Sequence, residues 1–506
     1  MRFSFFSDDL SGLQTDVIGL LCFEDKLGEG TFYQGLDRAL DGQLTLLGTE
    51  EGFKGKKGQS LLVHSLGKVG CARVLLIGGG ARPDFQAPDL RGFAARVVKV
   101  GASVAAKNVT LVLPYSEGTV QERAAQFLAE GALLGRYKFD KYFSDEHRKN
   151  EAARIEECRI AMSTDNVDAR RLDTIRKGVQ RGEQVAIAVA FARDLVNEPA
   201  AYMTPSRLAE IARDAARDHH LELKILGPKE CEKLGMGMYL AVAQGSDEEP
   251  RFIHLTYRPK GKATPKKRVA LIGKGVTFDS GGLSIKTSAG MEDMKVDMAG
   301  AAAVIAGIGV LADLGSPHEI HAIAACTENM ISGKSYKLGD VLKSMSGKTV
   351  EITNTDAEGR LTLGDAITYA LREVAPDEIF DFATLTAAVV VALGKHIAGV
   401  MGNDLSLVEH WLAAARRAGE EMWQLPLPER MKEQIKSDIA DLRNVGDRFG
   451  AALTAGVFLR EFAGTTPWVH VDLAGPASAD KEYGHISKGG TGFSVATMVE
   501  YLASRD

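Results

Sequence analysis

Short apolar runs rich in branched side chains alternate with amphipathic helical periods along the first 140 residues. Residues 17–23, 60–66, 74–77 and 109–113 read as strands, while apolar positions recur with helical spacing over 90–104 and 120–137. These elements predict one small α/β domain. Charge dominates from Tyr142 to Glu157. A long amphipathic helix is predicted over 168–196 and is halted at Asn197-Glu198-Pro199, because proline lacks a backbone donor and clashes with the preceding turn. Beyond it, apolar strands at 221–226, 252–257, 269–273, 320–326, 379–383 and 469–473 alternate with helices. The fold class expected is α/β in two domains. Residues 1–165 form a smaller N-terminal α/β domain, 166–198 a connecting helix, and 199–506 a larger C-terminal α/β domain with a central mixed, largely parallel sheet flanked by helices.

Composition narrows the function. A chain of 506 residues with 45% hydrophobic and 25% charged residues folds rather than remaining disordered. Its net charge, 61 − 67 = −6, supplies no global attraction for nucleic acid or acidic lipid. The cysteines at 22, 71, 158, 231 and 326 are scattered and form no Cys-x-x-Cys pair, so neither a disulfide framework nor a thiolate zinc site is expected. Asp8 and Asp9 interrupt the start before a signal-peptide core can form, and the apolar stretch over 298–312 is shorter than the roughly 20 residues that span a bilayer. A soluble cytoplasmic protein with no membrane association is expected.

Several glycine- and histidine-bearing stretches carry no chemistry. Gly78-Gly79-Gly80 reads as a strand-to-helix turn, since no G-x-G-x-x-G follows. Ser346-Gly347-Lys348-Thr349 and Ser332-Gly333-Lys334-Ser335 end like phosphate loops, but the first glycine of that motif would fall on Leu342 or Glu328. Gly307 and Gly309 lie inside an apolar helical run and read as close helix packing. His318 and His321 would face opposite ways on a strand.

Two stretches concentrate polar groups on otherwise apolar or glycine-rich sequence. One runs from Gly273 through Lys274, Asp279 and Lys286 to Asp297 and Gly300; the other is Asn354-Thr355-Asp356-Ala357-Glu358-Gly359-Arg360-Leu361. Each starts where a β-run ends, and ligands gather outside the carboxyl ends of strands in open α/β sheets. Extended backbone in the second stretch would put Asp356, Glu358 and Arg360 on one face, with the two carboxylates about 7 Å apart. With Asp279 and Asp297 this makes four carboxylates, enough for two divalent ions, and an oxygen-rich set without Cys or His points to zinc, manganese, cobalt or magnesium. Lys274 fits as a ligand if a neighbouring metal removes its proton, and Lys286 as a cation facing a developing oxyanion. Taken singly, each residue also reads as an ordinary surface ion pair. Their place at element ends in apolar surroundings favours the metal site.

The eight residues Asn354 to Leu361 resemble the signature of the leucyl (cytosol) aminopeptidase family. Lys274, Asp279, Lys286 and Asp297 stand at the family's spacing, and residues 469–477 resemble its late strand and loop. The resemblance runs from about residue 185 to the C-terminus, with the N-terminal domain alike only in general shape. It implies two divalent metal ions per subunit, Mn or Zn with Co or Mg as alternatives. One would be held by Asp279, Asp356 and Glu358 with help from the Asp356 backbone carbonyl, the other by Lys274, Asp279, Asp297 and Glu358. Lys286 and Arg360 would be the catalytic pair, Lys286 contacting the substrate carbonyl and Arg360 holding a bicarbonate that relays protons. The substrate side-chain pocket maps onto Met294, Thr384, Leu385, Ala387, Ala474 and Ala477, an apolar lining suited to Leu or Met.

The implied activity is release of N-terminal amino acids, preferentially leucine and other apolar residues, from peptides with a free N-terminus by a hydroxide activated between two ions. The implied assembly is a homohexamer. Some bacterial relatives also bind DNA in regulation and recombination, a second reading that the net charge of −6 does not support. Two departures stand out: Ile331 where relatives usually carry Pro, and Ala387 where many carry Gly. The extra methyl of Ala387 is expected to retune specificity modestly. Ala387→Gly should therefore shift the relative hydrolysis rates of Leu, Met and Phe substrates, and unchanged ratios would contradict that expectation.

Overall fold

The computed structural model describes residues 1–113, 118–146, 155–162, 169–260 and 264–503. The chain forms two compact units, Met1–Ile187 with Glu482–Ser487, and Ala188–Lys481 with Lys488–Asp506. The long amphipathic pattern folds as helix Ala169–Asn197, and the units change over within it.

In the first unit, strands β1 (Arg2–Phe6), β2 (Thr15–Cys22), β3 (Ser60–His64), β4 (Cys71–Gly78), β5 (Asn108–Val112) and β6 (Glu157–Ala161) make one sheet in the order β1-β6-β5-β2-β4-β3. Every neighbouring pair is parallel except β3 with β4. Alternation splits each strand between two cores. Val17, Leu75 and Val109 pack with helices Leu90–Ser103 and Gly118–Leu134, whereas Ile18, Leu20, Val74 and Leu76 pack with helices Thr31–Ala39 and Gln43–Glu50. The apolar pattern had not marked β1, β6 or the last two helices. β1 is an edge strand with no fully buried residue, and β6 follows the charged stretch.

The second unit holds β7 (Glu222–Leu226), β8 (Arg251–Tyr257), β9 (Arg268–Asp279), β10 (Glu319–Asn329), β11 (Val341–Lys343), β12 (Thr349–Glu351), β13 (Glu378–Ala383), β14 (Ala398–Gly402), β15 (Met422–Gln424), β16 (Leu442–Arg443) and β17 (Trp468–Asp472). The main sheet runs β15-β14-β17-β13-β9-β10-β8-β7, and β11-β12-β16 form a small second sheet. The centre of the main sheet is parallel, β17-β13-β9-β10, with antiparallel β8 and β7 at one side and β14 entering antiparallel to β17. Two expected strands are longer than their apolar runs. β9 continues past Gly273 through Lys274 to Asp279, because β10 stays paired with it, across one register shift at Thr327/Glu328, up to Asn329 opposite Asp279. Backbone pairing carries polar residues into the interior where hydrophobic periodicity stops.

Helix Ala299–Asp313 is buried along almost its whole length. The helical run Ser288–Asp313 is long and apolar enough to cross a membrane by composition, yet 83% of its most apolar 18-residue window is buried inside the protein, which makes it a core helix. Gly307 faces Met498 and Gly309 faces His219, so both glycines serve packing. The helix start lies directly on the sheet: a β-carbon at Gly300 would collide with the Phe382 carbonyl oxygen, and one at Gly273 would lie 2.5 Å from the Gly300 carbonyl oxygen. This close approach holds the residues just before the helix against the ends of β9 and β13. Gly300→Ala should cost about 1–3 kcal/mol through overpacking against backbone, seen as a lower denaturant midpoint. An unchanged midpoint would contradict the close packing.

Candidate metal centre

The parallel strands β9 and β10 end side by side at Asp279 and Asn329. After Asp279 the chain turns through Gly281 and Gly282, whose φ values of +86° and +64° are left-handed conformations that side-chain-bearing residues rarely adopt. Asp279 stabilises the turn, its Oδ1 accepting from the Gly281 amide at 2.9 Å and from Asn329 Nδ2 at 2.8 Å. Five residues earlier on β9, buried Lys274 points its Nζ to Asp297 Oδ1 at 2.8 Å and Glu358 Oε1 at 2.7 Å, and donates to the Thr384 carbonyl at 3.0 Å. Asp297 belongs to the 3-10 turn Met294–Met298 that leads into the core helix. Lys286 Nζ lies 2.9 Å from Asp279 Oδ2 and also contacts Asp356 Oδ1. Asp279, Asp356 and Glu358 offer carboxylate oxygens that all lie within 4.8 Å of one another.

The second acidic stretch is not extended, which corrects the alternating-face expectation. Residues 353–358 form a turn and loop, Glu358 has helical backbone (φ −74°, ψ −36°), and Arg360 sits in the first turn of helix Gly359–Tyr369. Partners distant in sequence impose this shape. Thr355 Oγ1 donates to the Gly281 carbonyl at 2.7 Å and accepts from the Ser284 amide at 2.8 Å; its carbonyl accepts from Tyr336 Oη at 2.7 Å and Asn329 Nδ2 at 3.0 Å. The turn brings Asp356 and Glu358 closer than a strand would. Arg360 is directed elsewhere, with Nη1 donating to the Asn444 carbonyl at 2.9 Å.

Four carboxylates stand against two ammonium groups, which leaves 4 − 2 = 2 negative charges uncompensated if all the acids ionise. Burial pushes the carboxyls of Asp297, Asp356 and Glu358 up from their ordinary range despite the lysines beside them. Burial opposes the charge on Lys274 and Lys286 as well, but the surrounding carboxylates outweigh it and both amines are shifted upwards. Asp297 Oδ2 and Glu358 Oε2 are buried and accept no hydrogen bond among the described residues. Donor-starved, crowded carboxylate oxygens suit a hard divalent cation, so the set fits the ions expected from the sequence. Lys274 can join as a ligand only as the neutral amine, a state that a bound dication favours.

The comparisons with known proteins agree with this chemistry. Residues 190–499 match the model of the cytosol aminopeptidase family catalytic domain, and residues 18–146 match that of its N-terminal domain. The chain belongs to the cytosol aminopeptidase family. A probable cytosol aminopeptidase of Alkaliphilus oremlandii is 41% identical over 507 residues, covering 100% of both chains. One from Persephonella marina is 44% identical over 479 residues, 94% of this chain and 93% of the relative. Among solved structures, a tomato leucine aminopeptidase mutant aligns with a TM-score of 0.88 at 32% identity, covering 99% of this chain and 96% of that one. A bottromycin maturation enzyme in complex with Mn aligns with a TM-score of 0.82 at 34% identity, covering 97% and 99%. The protein is accordingly a hydrolase of peptides, a metallo-aminopeptidase of a family that depends on divalent metal ions.

Of the residues expected to line the substrate pocket, Thr384, Leu385, Ala387, Ala474 and Ala477 follow the ends of β13 and β17, and Met294 lies in the turn before the core helix. Thr384 Oγ1 donates to Asp297 Oδ1 at 2.6 Å. Asp472, at the end of β17, accepts from the amides of Leu385 at 3.0 Å, Thr386 at 3.4 Å and Ala474 at 3.3 Å and from Thr386 Oγ1 at 2.7 Å, which ties the two loops together. Ala387 is exposed and begins helix Ala387–Leu393, capped by Thr386 Oγ1, which accepts from the Val389 amide at 3.1 Å. Thr384 and Ala477 are buried, and Met294, Leu385 and Ala474 are partly so. Sequence reasoning gave no role to Asn329, Tyr336, Asn444 or Asp472, all buried. Asn329 and Asp472 end apolar runs, which could have marked them; Tyr336 and Asn444 lie in polar stretches that carried no such signal.

Proposed function

We propose that the protein removes N-terminal leucine and other apolar residues from peptides with a two-metal centre. Asp279, Asp356 and Glu358, with the Asp356 carbonyl, would hold one ion, and Lys274, Asp279, Asp297 and Glu358 the other, with Asp279 and Glu358 shared. The observation carrying this reading is the convergence of carboxylates, all but the partly exposed Asp356 buried, that includes two oxygens without donors among the described residues. Bound there, divalent ions such as manganese or zinc would supply positive charge that lowers the pKa of water and anchors the free amino group of a peptide.

The chain's own residues supply the rest. The carboxylates around Lys286 raise its pKa despite burial, and its ammonium would stabilise an oxyanion developing on the substrate carbonyl. Arg360 is buried, which pushes its pKa down to about 10 against the pull of Glu358 and Asp472, so it remains a cation at neutral pH. Its Nε is buried without a partner among the described residues, which suits a small anion. Bicarbonate held there would supply a base able to accept and return a proton. Loops 384–387 and 474–477, clamped by Asp472, frame an apolar pocket for the leaving residue's side chain. The family resemblance further supports a cytoplasmic homohexamer.

Hydrolysis of leucyl-anilide should be abolished by chelation and restored by Mn(II). Lys286→Ala should lower kcat about 100- to 1,000-fold with a smaller change in KM. Purified protein inactive with Mn, Zn and Co alike would overturn the assignment.

A further inference from the structure

We propose that Asn444 is a positioning residue that locks the turn carrying Asp356 and the guanidinium of Arg360 into one fixed relation. The inference rests on the reading above, in which Asp356 faces a metal ion and Arg360 an anion. β16 pairs in parallel with β12, Val350 opposite Leu442 and Glu351 opposite Arg443, and the Asn444 amide adds a last rung to the Glu351 carbonyl at 3.0 Å. Beyond that rung the 352–356 backbone leaves the strand, and its buried polar groups need other partners.

The Asn444 side chain provides them. Its Oδ1 accepts from the Thr353 amide at 2.9 Å and the Asn354 amide at 3.4 Å, and its Nδ2 donates to the Asn354 carbonyl at 2.6 Å. Asn354 passes the constraint on, since its own Oδ1 accepts from the Asp356 amide at 2.8 Å. The backbone carbonyl of Asn444 meanwhile accepts from Arg360 Nη1 at 2.9 Å, which fixes the guanidinium while Nε remains unpaired. One residue thus grips both halves of the proposed site. It is fully buried, so water does not readily replace these bonds. The position needs a planar group that accepts and donates at once. Aspartate lacks the donor, and alanine lacks both.

The test uses the full-length protein with Asn444→Ala, and Asn444→Asp as the near-isosteric variant should alanine prevent folding. Titration calorimetry of Mn(II) into metal-stripped protein reads the turn. The dependence of kcat on bicarbonate in carbon-dioxide-free buffer reads Arg360. We expect Mn(II) affinity to fall about 10-fold and kcat to fall with KM nearly unchanged, and the half-saturating bicarbonate concentration to rise by a smaller factor, because both variants keep the backbone carbonyl that Arg360 bonds and lose only the side-chain bonds that fix its place. Wild-type Mn(II) affinity and bicarbonate response in a variant that shows only a lower melting temperature would overturn the proposal, because a purely structural role moves stability alone. Arg360→Ala is measured in parallel. If wild-type protein ignores bicarbonate, the anion reading fails, and the Mn(II) titration alone decides the role of Asn444.

Discussion

Mutual repulsion among buried carboxylates is the constraint around which the catalytic unit is built. Each acid on its own prefers water, and each additional neighbour of like sign raises the cost of ionising all of them. The fold nevertheless brings Asp279, Asp297, Asp356 and Glu358 together and surrounds them with groups that hold their positions. Lys274 and Lys286 act as internal counter-ions to these acids. They neutralise half of the charge, and the half left over is what a dication can compensate. In the proposed mechanism the same lysines serve as a ligand and an oxyanion partner.

Much of this was legible in the sequence, and the limits of legibility have physical causes. Branched apolar runs marked most central strands because those strands are buried on both faces. The chemistry followed as soon as polar residues appeared at strand ends. The strand β14, with two glycines in five residues, carried no such mark. The turn at Asp356 was misread as extended because period-two reasoning uses only local information. Its shape is set by Tyr336, Asn329, Gly281, Ser284 and Asn444, partners 19 to 90 residues away in the chain. Arg360, expected beside the carboxylates, was carried onto a helix by the same turn.

The glycines illustrate how backbone proximity substitutes for side-chain contact. Gly273 and Gly300 allow the core helix to rest on the strands, and the Asp297 turn is delivered to Lys274 as a consequence. Composition alone makes that helix resemble a membrane span. Its burial shows that its apolar character serves packing where a charged turn is held against the central strands of the sheet.

Anomalous diffraction from crystals soaked in Mn(II) tests the charge argument most directly. The account predicts two manganese peaks within coordinating distance of these side chains, one bounded by Asp279, Asp356 and Glu358 and one by Asp297 and the Lys274 amine. Carboxylates turned apart toward solvent, with no peak among them, would contradict it.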